Sequence, residues 1–231
     1  MRKIVELILM FIDWFFPEVS KKITMFYWMT SDKVHGDTSW DAYNFYYLKI
    51  KEIMNLLKDD SILDGACGTG QITYLFHKDG YRIKGFDFSD YLICKARLNF
   101  SEVDFYVDDL IKMKHTDKQF HKIFVNGAIF YIHPKFLQKT IINLYSILNK
   151  EGELYILDYP DFSKRRKIVG RIGYLITSLL PVYQPSLGGF WYKKKWIEKA
   201  AVNGGFKKVE FFDSWANYRT HAVLKKVVKN D

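Results

Sequence analysis

With two cysteines and five prolines in 231 residues, the chain has few covalent or conformational locks. Cys67 and Cys94 cannot build a disulfide framework, and neither sits at metal-ligand spacing. A metal centre is therefore not expected, and a reducing, cytoplasmic setting is the default. No internal repeat or low-complexity run is present. No apolar run reaches the about 20 residues that span a bilayer. The longest candidate at the N-terminus, Ile4 to Phe16, follows Arg2 and Lys3 in the manner of a signal peptide, but Glu6 and Asp13 interrupt it and no small-residue cleavage site follows. Ile4, Leu7, Ile8, Phe11, Ile12 and Phe15 fall on one helical face. That pattern fits a helix packed on the core or used as a lid. With Trp14, Phe15 and Phe16 it also fits a helix lying at a membrane surface.

What is present is apolar and basic. Hydrophobic residues make up 48% of the chain and charged residues 26%, a balance that suits one compact domain with a sizeable core. Aromatic residues reach 18%, and the net charge is +9. Much of that excess is local. Lys164, Arg165, Arg166, Lys167, Arg171, Lys193, Lys194, Lys195 and Lys199 lie in a stretch whose one acid is Glu198. Such a patch is either a solvated surface or a means of steering an anionic partner.

Along the chain, strand-like and helix-like segments alternate. Trp40 to Leu57 has helical periodicity behind Ser39, a suitable N-cap. An apolar strand ends at Asp64 and runs into Gly65-Ala66-Cys67-Gly68-Thr69-Gly70, after which a helix begins. Strands are then predicted at 81–87, 103–107, 122–127 and 153–158, with helices at 90–99 and 134–148 between them and a turn at 149–152. Helix 196–203 and two strands, 206–212 and 222–228, close the chain. Regular alternation predicts a parallel sheet with helices on both faces. Ligands of such sheets bind at the carboxyl ends of the strands, where Asp64, Asp87, Asp109, Asn126 and Asp158 all fall.

The string Ile62-Leu63-Asp64-Gly65-Ala66-Cys67-Gly68-Thr69-Gly70 resembles the first motif of the class I S-adenosylmethionine-dependent methyltransferases. Asp87, 17 residues beyond Gly70, matches that family's acid at the end of the second strand, and Asp109 or Asp108 matches the acid after the third. Asn149-Lys150-Glu151-Gly152 and the segment from Trp196 to Phe206 are similar to later family features. The resemblance implies an α/β Rossmann-like methyltransferase fold with a seven-stranded, mostly parallel sheet. It further implies a helical cap at 1–58 and a methyltransferase domain at 59–231, with residues 162–195 as a substrate lid between strands five and six. S-adenosylmethionine is the implied cofactor, held by Asp64, Gly65, Ala66, Gly68, Gly70, Asp87, Phe88, Asp108, Asp109, Leu110 and Asn126. A nicotinamide fingerprint would need a third glycine where this chain has Thr73. His121 stands where the family often has an acid, and is read as structural.

Methyl transfer from a sulfonium needs alignment and exclusion of water, and a hydroxyl acceptor also needs a base. Tyr131, His133 and Asp158 are the expected catalytic residues, with Tyr159 and His35 as further candidates. Each also has a plain structural reading: His133 as a helix start, Tyr131 as pocket wall, Asp158 as a local hydrogen-bond partner. Nothing after strand four matches the Asn/Asp-Pro-Pro-aromatic motif of nucleic-acid amino methyltransferases. The expected acceptor is thus an O or N atom of a small molecule or glycan, anionic or lipid- or nucleotide-linked. RNA bound by the basic lid is the alternative, and peripheral membrane contact is a further expectation.

Overall fold

The computed structural model describes residues 39–114, 119–167, 183–184 and 189–226, together with Phe16 and Val19. The expected N-terminal helix (apart from Phe16), the candidate His35 and residues 168–182 and 185–188 of the expected lid lie outside the described residues.

Helix α1 (Trp40–Met54) opens the described chain; the Ser39 hydroxyl accepts from the Ala42 amide. It stops at Asn55, whose φ of 44° breaks the helix. Then follow β1 (Ser61–Gly65), α2 (Gln71–Lys78), β2 (Arg82–Asp87), α3 (Asp90–Asn99), β3 (Asp104–Val107) and β4 (Phe120–Asn126). After β4 come α4 (Leu137–Ser146), β5 (Leu148–Pro160), a two-residue pair β6 (Tyr183–Gln184) and β7 (Gly189–Phe190), α5 (Lys194–Asn203), β8 (Lys208–Asp213) and β9 (Arg219–Lys225). One seven-stranded sheet runs in the order β3-β2-β1-β4-β5-β9-β8. Its neighbours are parallel except for β9, which pairs antiparallel with β5 and β8. The order reverses between β1 and β4, which places a crevice at the carboxyl ends of those two strands.

Period-two alternation sorts the core onto two faces. Ile62, Ile83, Phe124, Tyr155, Leu157 and Val223 pack with Tyr47, Ile50 and Met54 of α1 and Phe76 of α2. Leu63, Phe86, Ile123, Val125, Leu154, Ile156, Ala222 and Leu224 pack with Leu137, Ile141 and Leu144 of α4 and with Ile197, Ala200 and Ala201 of α5. Helix α1 thus shares its core with the sheet.

Two local features differ from the sequence expectation. Residues 149–152, expected as a turn, lie inside β5, because Leu148 pairs with Phe120 before the register shifts at Lys122. Pro134 opens a short 3-10 turn ahead of α4 rather than the α-helix itself. His121 fastens β4 to the start of β1: its Nδ1 accepts from the Ser61 amide at 3.0 Å, and its own amide donates to the Ser61 hydroxyl at 3.2 Å.

Candidate active site

The glycine loop after β1 turns on three left-handed residues, Ala66 (φ 63°), Gly68 (φ 58°) and Gly70 (φ 84°). Only at Gly70 is glycine demanded twice. A Cβ there would sit 2.6 Å from Phe105 Cζ, on a backbone that L side chains rarely adopt. The Cys67 amide donates to the Phe86 carbonyl (2.9 Å), which ties the loop to β2.

Around this loop stand buried acids. Asp87 accepts from the Gly68 amide on Oδ2 (3.1 Å) and from the Ser89 amide on Oδ1 (3.0 Å). One carboxylate therefore holds both the loop and the start of α3, with Phe88 half-buried between. Burial pushes Asp87 up to about 6, against the pull of the Ser89, Gly68 and Phe88 amides. Asp64, at the end of β1, receives the Thr73 hydroxyl on Oδ2 at 2.7 Å. Burial pushes Asp64 up to about 8; Thr73 pulls it down and the Asp87 charge pushes it further up. After β3, Asp108 is buried and closes the following turn, accepting from the Asp109 and Lys114 amides at 2.8 and 3.0 Å. Asp109 is half-buried and accepts from the Ile111 amide at 2.8 Å. Leu110, beside them, is buried.

At the end of β4, Asn126 Oδ1 is buried with no hydrogen-bond partner among the described residues. The next residue, Gly127, has a φ of 62° and open space where a Cβ would be. A buried carbonyl oxygen without a donor is costly unless something supplies one. Each Asp87 oxygen accepts one of these backbone bonds, while an ionised carboxylate has about four acceptor positions. The set suits a ligand rich in N–H and O–H donors, while the glycines at 65 and 70 let the loop pack closely on Val125, Phe86 and Phe105. Such a ligand is S-adenosylmethionine, whose ribose, amine and adenine are donors.

The end of β5 is built differently. Asp158 is buried, has a φ of 55°, and sits where the β5–β9 register shifts. Its Oδ1 accepts from the Ser214 hydroxyl (2.7 Å) and its Oδ2 from Arg219 (2.7 Å), while its amide donates to His221 Nδ1 (2.9 Å). Burial drives His221 down to about 4, so its ring is neutral at physiological pH. The Arg219 guanidinium lies 5.0 Å from the Phe130 ring and 5.3 Å from the Tyr218 ring. Trp215 packs on His221 at 4.5 Å and on Tyr46 of α1 at 5.6 Å.

The other two expected catalytic residues follow β4. Tyr131 ends a 3-10 turn, its ring 4.2 Å from that of Phe130. His133 accepts the Lys135 amide on Nδ1 (3.1 Å) and so starts the next turn. Tyr159 is fully buried beside Tyr192, at 6.3 Å between rings. Among the described residues of the basic stretch expected as a lid, several are engaged within the protein. Lys164 binds Asp213 (2.6 Å) and the Arg219 carbonyl (2.7 Å); Arg165 is buried over Phe162; Lys193 lies over Phe162 and Trp196. Arg166, Lys195 and Lys199 are exposed.

Sequence reasoning placed the acids but missed what holds them. Thr73 was legible only as an absent glycine. Ser214, Arg219 and His221 carry no local pattern pointing to Asp158. Among the described residues, no cluster of three or more His, Cys, Asp or Glu gathers for a metal, and no helix is long and apolar enough to cross a membrane.

Comparison with known proteins bears on the same strands. Residues 62–152 match the sequence model of the family described as "Methyltransferase domain". Demethylmenaquinone methyltransferase of Chlorobaculum parvum (strain DSM 263 / NCIMB 8327) is 25% identical over 171 residues, 67% of this chain and 69% of its own. A Geobacillus sp. (strain WCH70) protein described as a methyltransferase is 22% identical over 133 residues, 55% of this chain and 53% of that one, so the match spans about half of that relative. The structure of magnesium protoporphyrin IX methyltransferase from Synechocystis PCC 6803 with bound SAH shares the fold. Its TM-score is 0.61 at 15% identity, over 89% of this chain and 98% of that chain. Sequence match and fold agree on the strands that carry the glycine loop and its acids: residues 62–152 match a methyltransferase domain, and the chain shares the fold of methyltransferases of known structure.

Proposed function

We propose that the protein transfers the methyl group of S-adenosylmethionine to an oxygen or nitrogen atom of a small-molecule acceptor. One observation carries the proposal: a buried carboxylate, Asp87, braces the glycine loop through the Gly68 amide and retains acceptor capacity beside it. In this reading Asp87 takes the ribose hydroxyls and Asp64 faces the amino-acid end. Asp109 with Leu110 meets the adenine edge, while Asp108 keeps that turn closed. Gly65, Ala66, Gly68 and Gly70 give backbone access, Phe88 packs alongside, and Asn126 offers its buried oxygen near the reacting end. The cofactor, when bound, supplies an already activated methyl group. The protein's share is then to align the acceptor at about 3 Å and to exclude water.

Half-buried Tyr46, Tyr131, Trp215 and Tyr218, gathered around the ends of β4 and β5, support an acceptor with apolar surface. The engaged lysines lend less support to an anionic, glycan or RNA acceptor than the sequence did. Asp158 spends its oxygens on Ser214 and Arg219, and so shapes the wall rather than acting as base. His133 uses Nδ1 to accept from the Lys135 amide and so starts the next turn, which favours Tyr131 as the residue to contact an acceptor hydroxyl. A crystal structure with S-adenosylmethionine tests the assignment. Ribose oxygens within hydrogen-bond distance of Asp87 are expected, and ligand bound away from the glycine loop would contradict it.

A further inference from the structure

Thr73 sits in the first turn of α2 and is completely buried. Its hydroxyl donates to Asp64 Oδ2 at 2.7 Å, and among the described residues no other side chain hydrogen-bonds that carboxyl. The charged and titratable groups acting there are Asp87 from β2 and the Cys67 thiol from the loop, and neither is a cation. Among the described residues, Thr73 is thus the group that fixes the direction of the Asp64 carboxyl and supports its charge. We infer that Thr73 is a positioning residue for the cofactor site. Its hydroxyl aims the Asp64 carboxylate and stabilises the ionised form that a cationic amino-acid end requires. This rests on the cofactor reading above.

Proton balance follows. In the free protein the Asp64 carboxyl holds a proton, because burial outweighs the Thr73 bond. When a cation docks, the carboxyl O–H breaks, the proton passes to the buffer, and the electron pair stays on the carboxylate. Valine in place of Thr73 keeps the shape and removes the donor, so ionisation of Asp64 becomes harder and binding shifts to higher pH. Serine keeps the donor.

The test begins without ligand. NMR titration of carbon-13-labelled aspartates in the free full-length protein should find Asp64 titrating far above the ordinary aspartate range. Thr73→Val should move it up by about one unit or more, as expected for loss of a hydrogen bond to a charged group. Thr73→Ser should leave it near the wild-type value, and Thr73→Ala gives the same reading if the valine variant does not fold. Calorimetric titration of S-adenosylmethionine at neutral pH should then show binding about tenfold weaker or worse in Thr73→Val, with the loss narrowing as pH rises. An Asp64 midpoint unchanged by Thr73→Val, or wild-type affinity in that variant across the pH range, would overturn the inference. Failure of wild type itself to bind S-adenosylmethionine would instead overturn the cofactor reading, and the ligand-free titration separates the two.

Discussion

The ends of β1 to β3 and the end of β5 both carry buried acids, yet they use them in opposite ways. Among the described residues, Asp64 and Asp87 face hydroxyl and amide donors without a cation, and burial lifts both above the ordinary carboxylate range. Asp158 is ion-paired to Arg219 and hydrogen-bonded to Ser214, with its own amide tied to His221. The first arrangement keeps unmet acceptor capacity beside the glycine loop. The second spends it on joining β5 to the antiparallel β9. Buried acidity alone does not mark a site; what matters is whether the protein itself satisfies the acid.

That contrast can be broken from either side. The largest stability effect is expected at the β5 end. Arg219→Met leaves the Asp158 carboxylate buried without its cation and should cost about 3–5 kcal/mol in urea unfolding. A loss below about 1 kcal/mol would mean that Asp158 is not committed to the wall. Next comes Gly70→Ala, which combines a left-handed backbone with a Cβ 2.6 Å from Phe105 and 3.1 Å from Ala96. About 2–4 kcal/mol of destabilisation should accompany loss of cofactor binding.

A smaller effect is read in pH. Asp64 rises from 3.8 unfolded to about 8 folded, so between those values the folded protein holds a proton that the unfolded chain has released. Stability should fall as pH rises through that window, by at most about 1.4 kcal/mol per unit. His221 works in the other direction, dropping from 6.5 to about 4, so its contribution is lost as pH falls below 6.5. Asp87 reaches only about 6, which leaves the range from 6.5 to 8 to Asp64 among these three. Asp64→Asn should flatten chemical-denaturation stability there; an unchanged slope would assign it elsewhere. Smallest is His121→Ala, which removes an exposed tie between β1 and β4 and should cost under about 1 kcal/mol with no change in cofactor affinity.

The same contrast explains what the sequence disclosed. Around the glycine loop the decisive bonds span two residues (Ser89 to Asp87), nine (Thr73 to Asp64) or nineteen (Gly68 to Asp87), so motif and strand-end spacing already bring these residues together as a candidate site. Asp158 draws on partners 56, 61 and 63 residues away, brought together only when β9 inserts beside β5. Nothing local in the sequence announces Arg219 or His221, and Asp158 read alone looked like a candidate base. The basic run was similarly legible as charge but not as contacts. Lys164 and Lys193 are spent on Asp213, a carbonyl and aromatic rings. Alternation fixed the sheet because each strand's odd and even residues go to different faces, whereas the bulge that draws residues 149–152 into β5 depends on pairing with Phe120.

The most direct test is a side-by-side calorimetric titration of S-adenosylmethionine into wild type, Asp87→Ala and Arg219→Met, each under conditions where it is folded. Binding should weaken about 100-fold or more in Asp87→Ala, which loses several charge-assisted hydrogen bonds, and stay within about twofold of wild type in Arg219→Met. Equal, tight binding by Asp87→Ala, or its selective loss in Arg219→Met, would contradict the division between a cofactor half and a structural wall.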